Sequence, residues 1–258
     1  MGDAFDEALD DGLLQLGLQD QRAASPLARL SYEAHARLLR EWGAVINLTA
    51  IHDPAEVARR HVCDSLSAVP CLTDLGSDER ELLDLGSGAG YPGLPLAAAL
   101  PFRRVALLDS VGKKARFMAV AAEAAATILG SADTAAPRIE SIALRAEDLA
   151  EDPEHRGGWQ VVTARAVGSL SDVVELGMPL TRQGGFVVAW KREGERDELR
   201  DELRDAGSII RACGGGRPKV ITIDAPSLSG HRLVIIPKER TTPPLYPRPV
   251  AKRPRRKR

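Results

Sequence analysis

Three glycines at alternate positions, Gly86, Gly88 and Gly90, follow an apolar run that carries Asp84. Glycine lets the backbone turn sharply and lets its N–H groups come close to a ligand, so this pattern reads as a strand turning onto a helix N-terminus. Further along, Asp109 closes the run Val105–Leu108, Ala146-Glu147-Asp148 follows a third apolar stretch, and Arg165 closes a fourth. In parallel sheets, ligands sit outside the carboxyl ends of the strands. Four polar or glycine-rich strand ends in chain order therefore describe a nucleotide-type cleft. In it Gly86, Gly88 and Gly90 offer backbone contact, Asp109 accepts two ribose hydroxyls, and Ala146–Glu147 reads a base edge. The dinucleotide spacing G-x-G-x-x-G counted from Gly86 meets Tyr91 where the third glycine belongs. Counted from Gly88 it fits through Gly93, but Pro92 then sits inside the turn and Asp84 has no role. His61 and Asp64 share a helical face while Cys63 points elsewhere, so no metal is expected. The expected role of Asp64-Ser65 is to support the glycine loop from the preceding helix.

Strands are predicted at 81–85, 104–109, 138–144, 160–164, 185–190, 219–223 and 232–237, with helices at 93–99, 112–129, 169–180 and 195–206. The alternation predicts a parallel sheet covered on both faces. Upstream, a short amphipathic helix is expected around Leu13, Leu14 and Leu18, and another from Ser31 to Trp42. A third opens with Asp53 as cap, Pro54 at its first position and Glu56 three residues after the cap, and runs to about Val69. The resulting division is a helical extension over 1–78, the α/β domain over 79–240 and a tail over 241–258. Residues 130–137 read as a small-residue loop. The tandem tetrapeptide Arg196–Leu203 reads as a solvated helix with a narrow Leu199/Leu203 stripe.

The chain has 258 residues, 44% hydrophobic and 28% charged, an ordinary globular composition. No apolar run approaches the ~18 residues of a membrane span. The acidic N-terminus does not suit a targeting signal, and three cysteines without a C-x-x-C pair fit a reducing compartment. A cytoplasmic, monomeric protein with no membrane and no metal is expected. The net charge of −1 conceals an asymmetry: residues 241–258 carry seven cations and no acid, leaving −8 on the rest. A basic, Pro-rich tail of this kind is expected to be disordered and to lie along phosphates. Two further cation clusters, Arg59-Arg60-His61 and Lys113, Lys114 and Arg116, are expected on helices, the latter at an N-terminus whose dipole disfavours cations unless a phosphate neutralises them. Aromatic residues at 4% argue against an extended base-stacking platform.

The loop Asp84-Leu-Gly-Ser-Gly-Ala-Gly resembles the D-x-G-x-G-x-G loop of class I S-adenosylmethionine-dependent methyltransferases. That resemblance implies a Rossmann-like, doubly wound, mostly parallel seven-stranded sheet, here with an N-terminal helical extension. A closer one follows from Asp84–Pro95, Leu108–Phe117 and Ala164–Ser169, together with Asn47-Leu-Thr, Asp53-Pro and His61-Val-Cys-Asp-Ser65. From about Ser31 to Lys238 these are similar to the bacterial 16S rRNA guanine-N7 methyltransferases of the glucose-inhibited division protein B family. The family implies methylation of N7 of one guanine in the decoding-site loop of 16S rRNA, with the small ribosomal subunit as partner and S-adenosylmethionine as cofactor. Gly86, Tyr91, Ala146, Glu147 and Arg165 match the family's cofactor contacts, and Asp84, Gly88, Gly90 and Asp109 complete the set expected here.

Guanine N7 carries its lone pair in the base plane, so the reaction needs alignment and exclusion of water rather than a general base. Arg165 or Lys191 would then hold O6, with Arg165 expected in that role. Competing readings are a class I methyltransferase for protein or small molecules, a non-catalytic RNA-binding protein and a nicotinamide oxidoreductase. The absence of an Asn/Asp-Pro-Pro-Tyr-type motif, whose place Thr163-Ala-Arg-Ala166 takes, disfavours methylation of exocyclic amines.

Overall fold

The computed structural model describes residues 2–73, 80–132, 136–194 and 198–249. The expected 78/79 boundary, part of the 130–137 loop, the start of the 195–206 helix and half of the 241–258 tail lie outside them. Along the chain the strands are β1 (Arg80–Leu85), β2 (Phe102–Leu108), β3 (Arg138–Ile142), β4 (Trp159–Arg165), β5 (Thr181–Arg192), β6 (Lys219–Thr222) and β7 (His231–Pro237). They form one sheet of order β3-β2-β1-β4-β5-β7-β6, with β7 antiparallel to both β5 and β6. The chain order reverses between β1 and β4, the crevice where such sheets bind ligands.

Successive residues of the central strands point to opposite faces, and each face builds its own core. Leu82, Val105, Val161 and Val188 belong to one apolar cluster, Leu83, Ala106, Val162 and Val187 to the other. The second face is covered by α7 (Ala146–Leu149), α8 (Leu170–Gly177) and α9 (Glu198–Ala212). The first is covered by α5 (Gly93–Ala99), α6 (Gly112–Leu129) and the N-terminal helices α1 (Asp3–Gln15), α2 (Pro26–Gly43) and α3 (54–66). Phe5, Leu9, Leu13, Tyr32 and Leu39 of the extension are thus part of the sheet's core.

Helix α2 begins five residues earlier than the apolar spacing suggested, because Ser25 caps it through the Ala28 N–H and Pro26 occupies its first position. Helix α3 opens as expected, Asp53 accepting from the Glu56 N–H at 2.9 Å. It carries a π-helical segment, Ala58–Cys63, and stops at Leu66 rather than near Val69. Pro70 is the reason: its ring and missing N–H exclude a bond to the carbonyl four residues back. A separate short helix, α4 (Val69–Thr73), follows.

The disorder expected from Thr241 onward is not what residues 241–249 show. Arg156 donates to the carbonyls of Thr242, Pro243 and Tyr246, and Arg248 makes a bidentate pair with Glu175, a buried carboxylate of α8. A buried acid needs a partner, and this stretch brings it.

Candidate active site

The glycine loop after β1 is built from the inside by Asp84. Its Oδ2 accepts from the Ser87 hydroxyl and, at 3.0 Å, from the Gly93 N–H, while its Oδ1 accepts from the Thr163 hydroxyl at 2.9 Å. The carboxylate is fully buried. Burial pushes its pKa up, against three hydrogen bonds that pull it down. Asp84 therefore fixes loop, helix α5 and β4 together, and the expected ligand contact becomes a supporting role because the carboxylate is fully buried and faces protein donors only. Gly93 is where α5 meets the sheet: a Cβ there would stand 2.4 Å from Leu107 and 3.0 Å from Asp84.

Gly86, Gly88 and Gly90 sit at φ +67°, +60° and +85°. Beside Gly88, the nearest atom to an added Cβ would be a loop carbonyl at 3.8 Å, so the conformation, not crowding, demands glycine, and open space lies alongside. The Gly88 N–H donates to Asp109 Oδ2 at 3.1 Å, and the Val111 N–H to its Oδ1 at 2.8 Å. Asp109 is thereby held at the loop's rim, with lone pairs left on both oxygens. Ala146 and Glu147 open α7, whose first-turn N–H groups have no carbonyl four residues earlier inside the helix. The Glu147 carboxylate is 4.0 Å from Arg145.

Tyr91 lies between two histidines contributed by the extension. His35 of α2 stacks on it at 4.3 Å and His61 of α3 at 4.7 Å, with the Arg165 guanidinium 5.4 Å from the ring centre. His35 Nε2 donates to the Ala89 carbonyl at 2.7 Å, fixing the loop from outside. Burial lowers His35 to about 4 and His61 to about 3, so both are neutral near pH 7. The Tyr91 hydroxyl is buried and has no hydrogen-bond partner among the described residues.

Arg165, at the end of β4, is more heavily engaged than a strand-end cation need be. Its Nη1 donates to Asp64 Oδ2 at 2.8 Å and to the Arg60 carbonyl at 3.1 Å, and its Nη2 to His61 Nδ1 at 3.2 Å. Since Nδ1 accepts, His61 carries its proton on Nε2 and donates to Thr49 Oγ1 at 2.8 Å. Asp64 Oδ1 accepts from His231 Nδ1 at 2.7 Å, and the Asp64 carbonyl accepts from Trp190 Nε1 at 2.8 Å. Burial alone would raise the Asp64 carboxyl; His231 and Arg165 outweigh it and leave it below the usual range. Ala166, next in the chain, stands at φ +58°, a left-handed conformation that costs a non-glycine residue about 1–2 kcal/mol.

Three expectations are corrected here. Asp64 supports Arg165 rather than the glycine loop, which is braced by His35 instead. Lys191 is no donor for a substrate: its Nζ bonds Glu202 at 2.7 Å and the Gly168 carbonyl at 3.0 Å, tying β5 to α8 and α9. Arg59 and Arg60 lie 3.2 and 3.8 Å from Glu56 and are partly neutralised, whereas Lys113, Lys114 and Arg116 form no ion pair among the described residues. His35, Thr49 and His231 were missed as site residues. A histidine on the apolar face of α2 was a signal for the first, but periodicity offers none for His231. The described residues hold no group of three or more metal-ligating side chains.

S-adenosylmethionine fits this cleft. Open space beside Gly88, the rim carboxylate of Asp109, the helix-start amides at Ala146–Glu147 and the orphan Tyr91 hydroxyl supply polar partners. At the end of β4 Asp64 compensates the charge of Arg165, so no bare cation stands there to repel a sulfonium.

The family model described as "GidB: rRNA small subunit methyltransferase G" matches residues 30–208. This chain belongs to that family. Among curated members, the ribosomal RNA small subunit methyltransferase G of Roseiflexus castenholzii is 40% identical, the match covering 91% of this chain and 93% of the relative. That of Lactococcus lactis is 34% identical, over 84% and 85%. Among solved structures, a mutant of MtNAS shares the fold, with a TM-score of 0.51 at 15% identity over 92% of this chain and 82% of that one. Within the GidB family frame, the extension that supplies His35, His61 and Asp64 lies mostly inside the matched region.

Proposed function

We propose that this chain is a cytoplasmic, monomeric enzyme that transfers the methyl group of S-adenosylmethionine to N7 of one guanine in the decoding-site loop of 16S rRNA. Carrying the reading is a glycine loop, an acid, a helix start and an arginine at the ends of β1 to β4, in a member of the small-subunit rRNA methyltransferase G family. The close-approach backbone at Gly86, Gly88 and Gly90, with Tyr91, Asp109, Ala146 and Glu147, would hold the cofactor, and Asp84 would hold the loop. When bound, the cofactor supplies an electrophilic methyl group on a sulfonium.

The chain's own residues have no proton to remove, because N7 attacks with a free lone pair. His35 and His61 are neutral near pH 7 and already committed to structural bonds, so neither adds charge beside the reacting atoms. Both Nη1 hydrogens and one Nη2 hydrogen of Arg165 are engaged, leaving the second Nη2 hydrogen and Nε to bond guanine O6 and align N7. Its pairing with Asp64 keeps net positive charge away from a base that becomes cationic. The test is incubation with tritiated S-adenosylmethionine and small subunits from a strain lacking the enzyme. Label recovered as 7-methylguanosine in 16S rRNA is expected. No label, with cofactor binding intact, would redirect the search to proteins and small molecules.

A further inference from the structure

A groove of about 690 Å³ lies between the C-terminal half of α9 and the turns around β6 and β7, lined by Arg211, Gly215, Gly216, Arg217, Glu239 and Arg240. It is far from the candidate active site. Arg165 pairs in register with Trp190 of β5, whereas Pro237, which leads to the groove, pairs with Phe186. Four residues of strand separate those positions, about 13 Å at the usual rise, and the groove extends beyond Pro237 on the opposite end of the sheet. Gly215 bridges Lys238 there, which brings the α9–β6 turn against the end of β7.

Its charge is one-sided. Arg211, Arg217 and Arg240 are exposed and form no ion pair among the described residues, and Lys219 opens β6 beside them. Arg204, also on the wall, is already paired with Asp201 and Asp205. Glu239 is the acid in the lining. Because β6 pairs only with β7, it leaves an edge of backbone donors and acceptors next to these cations. An open groove lined by three arginines that form no ion pair among the described residues suits a run of phosphates, which arginine forks bind.

We propose that this groove is a second RNA contact, taking phosphodiester backbone of the substrate at a distance from the methylated guanine. The proposal rests on the rRNA methyltransferase reading and extends it: an RNA engages both ends of the sheet only if it is large enough to pass around the molecule. Short hairpins bearing the target loop reach the active cleft alone, and an assembled or fully folded 16S rRNA reaches both.

The full-length R211Q/R217Q chain tests this against the unaltered chain and R211K/R217K. Methylation is followed on small subunits, deproteinised 16S rRNA and a short target-loop hairpin across a salt series. For subunits and 16S rRNA, KM is expected to rise about tenfold in the glutamine variant, and the logarithmic salt slope to fall by about 1 per arginine. Turnover, cofactor affinity and hairpin KM are expected to stay unchanged, and the lysine variant to recover most of the loss. Equal KM and equal slope on the large RNAs would overturn the proposal, as would a defect on subunits that vanishes on deproteinised RNA, since the occupant would then be a protein. Failure of the unaltered chain to methylate any RNA would instead sink the activity reading, and this contact with it.

Discussion

At the residue scale, the decisive groups are those whose polar atoms are all accounted for. Asp84 serves three donors at once, so Asp84→Ala strands a hydroxyl, an amide and a second hydroxyl in the core. Cofactor binding by calorimetry is expected to vanish in Asp84→Ala and in Gly88→Val, where a β-branched residue would have to hold φ +60°. Measurable binding in both would remove the site from this loop. The two stacked histidines set a pH dependence. His35 is lowered from 6.5 to about 4 by burial, so its contribution to stability is complete above pH 6.5 and is lost as pH falls toward 4. That loss amounts to roughly 3 kcal/mol. His61 acts in the same direction down to about 3. Urea midpoints are expected to drop between pH 7 and 4.5, less steeply in His35→Gln. The strand-end positions of Gly86, Gly88, Gly90, Asp109 and Arg165 were legible in the sequence because local pattern fixes where a strand stops. The engagements of Lys191 and His231 were not, since each depends on a partner that only the fold brings near.

At the element scale, α3 connects the extension to the sheet. Asp64 bonds groups from three strands: Arg165 of β4, Trp190 of β5 and His231 of β7. Asp64→Ala leaves Arg165 largely buried without its counter-charge, and a loss of about 3–5 kcal/mol is expected in chemical denaturation. An unaltered unfolding midpoint would show the contact to be dispensable. The seven strands and most helices were readable from period and capping, because apolar alternation and Asp53-Pro54 act locally. The π-helical segment of α3 was not, because its six residues look like any helix in sequence and are distinguished only by the packing they satisfy.

At the scale of the whole molecule, the C-terminal stretch belongs to the fold up to residue 249 at least. A chain ending at residue 249 keeps the Arg156 and Arg248 contacts of this stretch. One ending at residue 240 loses Arg248 and with it the bidentate pair on the buried Glu175, a cost of about 2 kcal/mol once the partial exposure of Arg248 is allowed for. Matching midpoints for the two truncations would refute this. The Asp64–His231 bond joins residues 167 positions apart in the chain. During synthesis the helices of the extension leave the ribosome long before β7 exists, so Asp64, although it can already hold Arg165, waits for its His231 partner until β7 has emerged. The nascent chain would thus carry the glycine loop and the Arg165–Asp64 pair well before β7 arrives to brace that pair from behind.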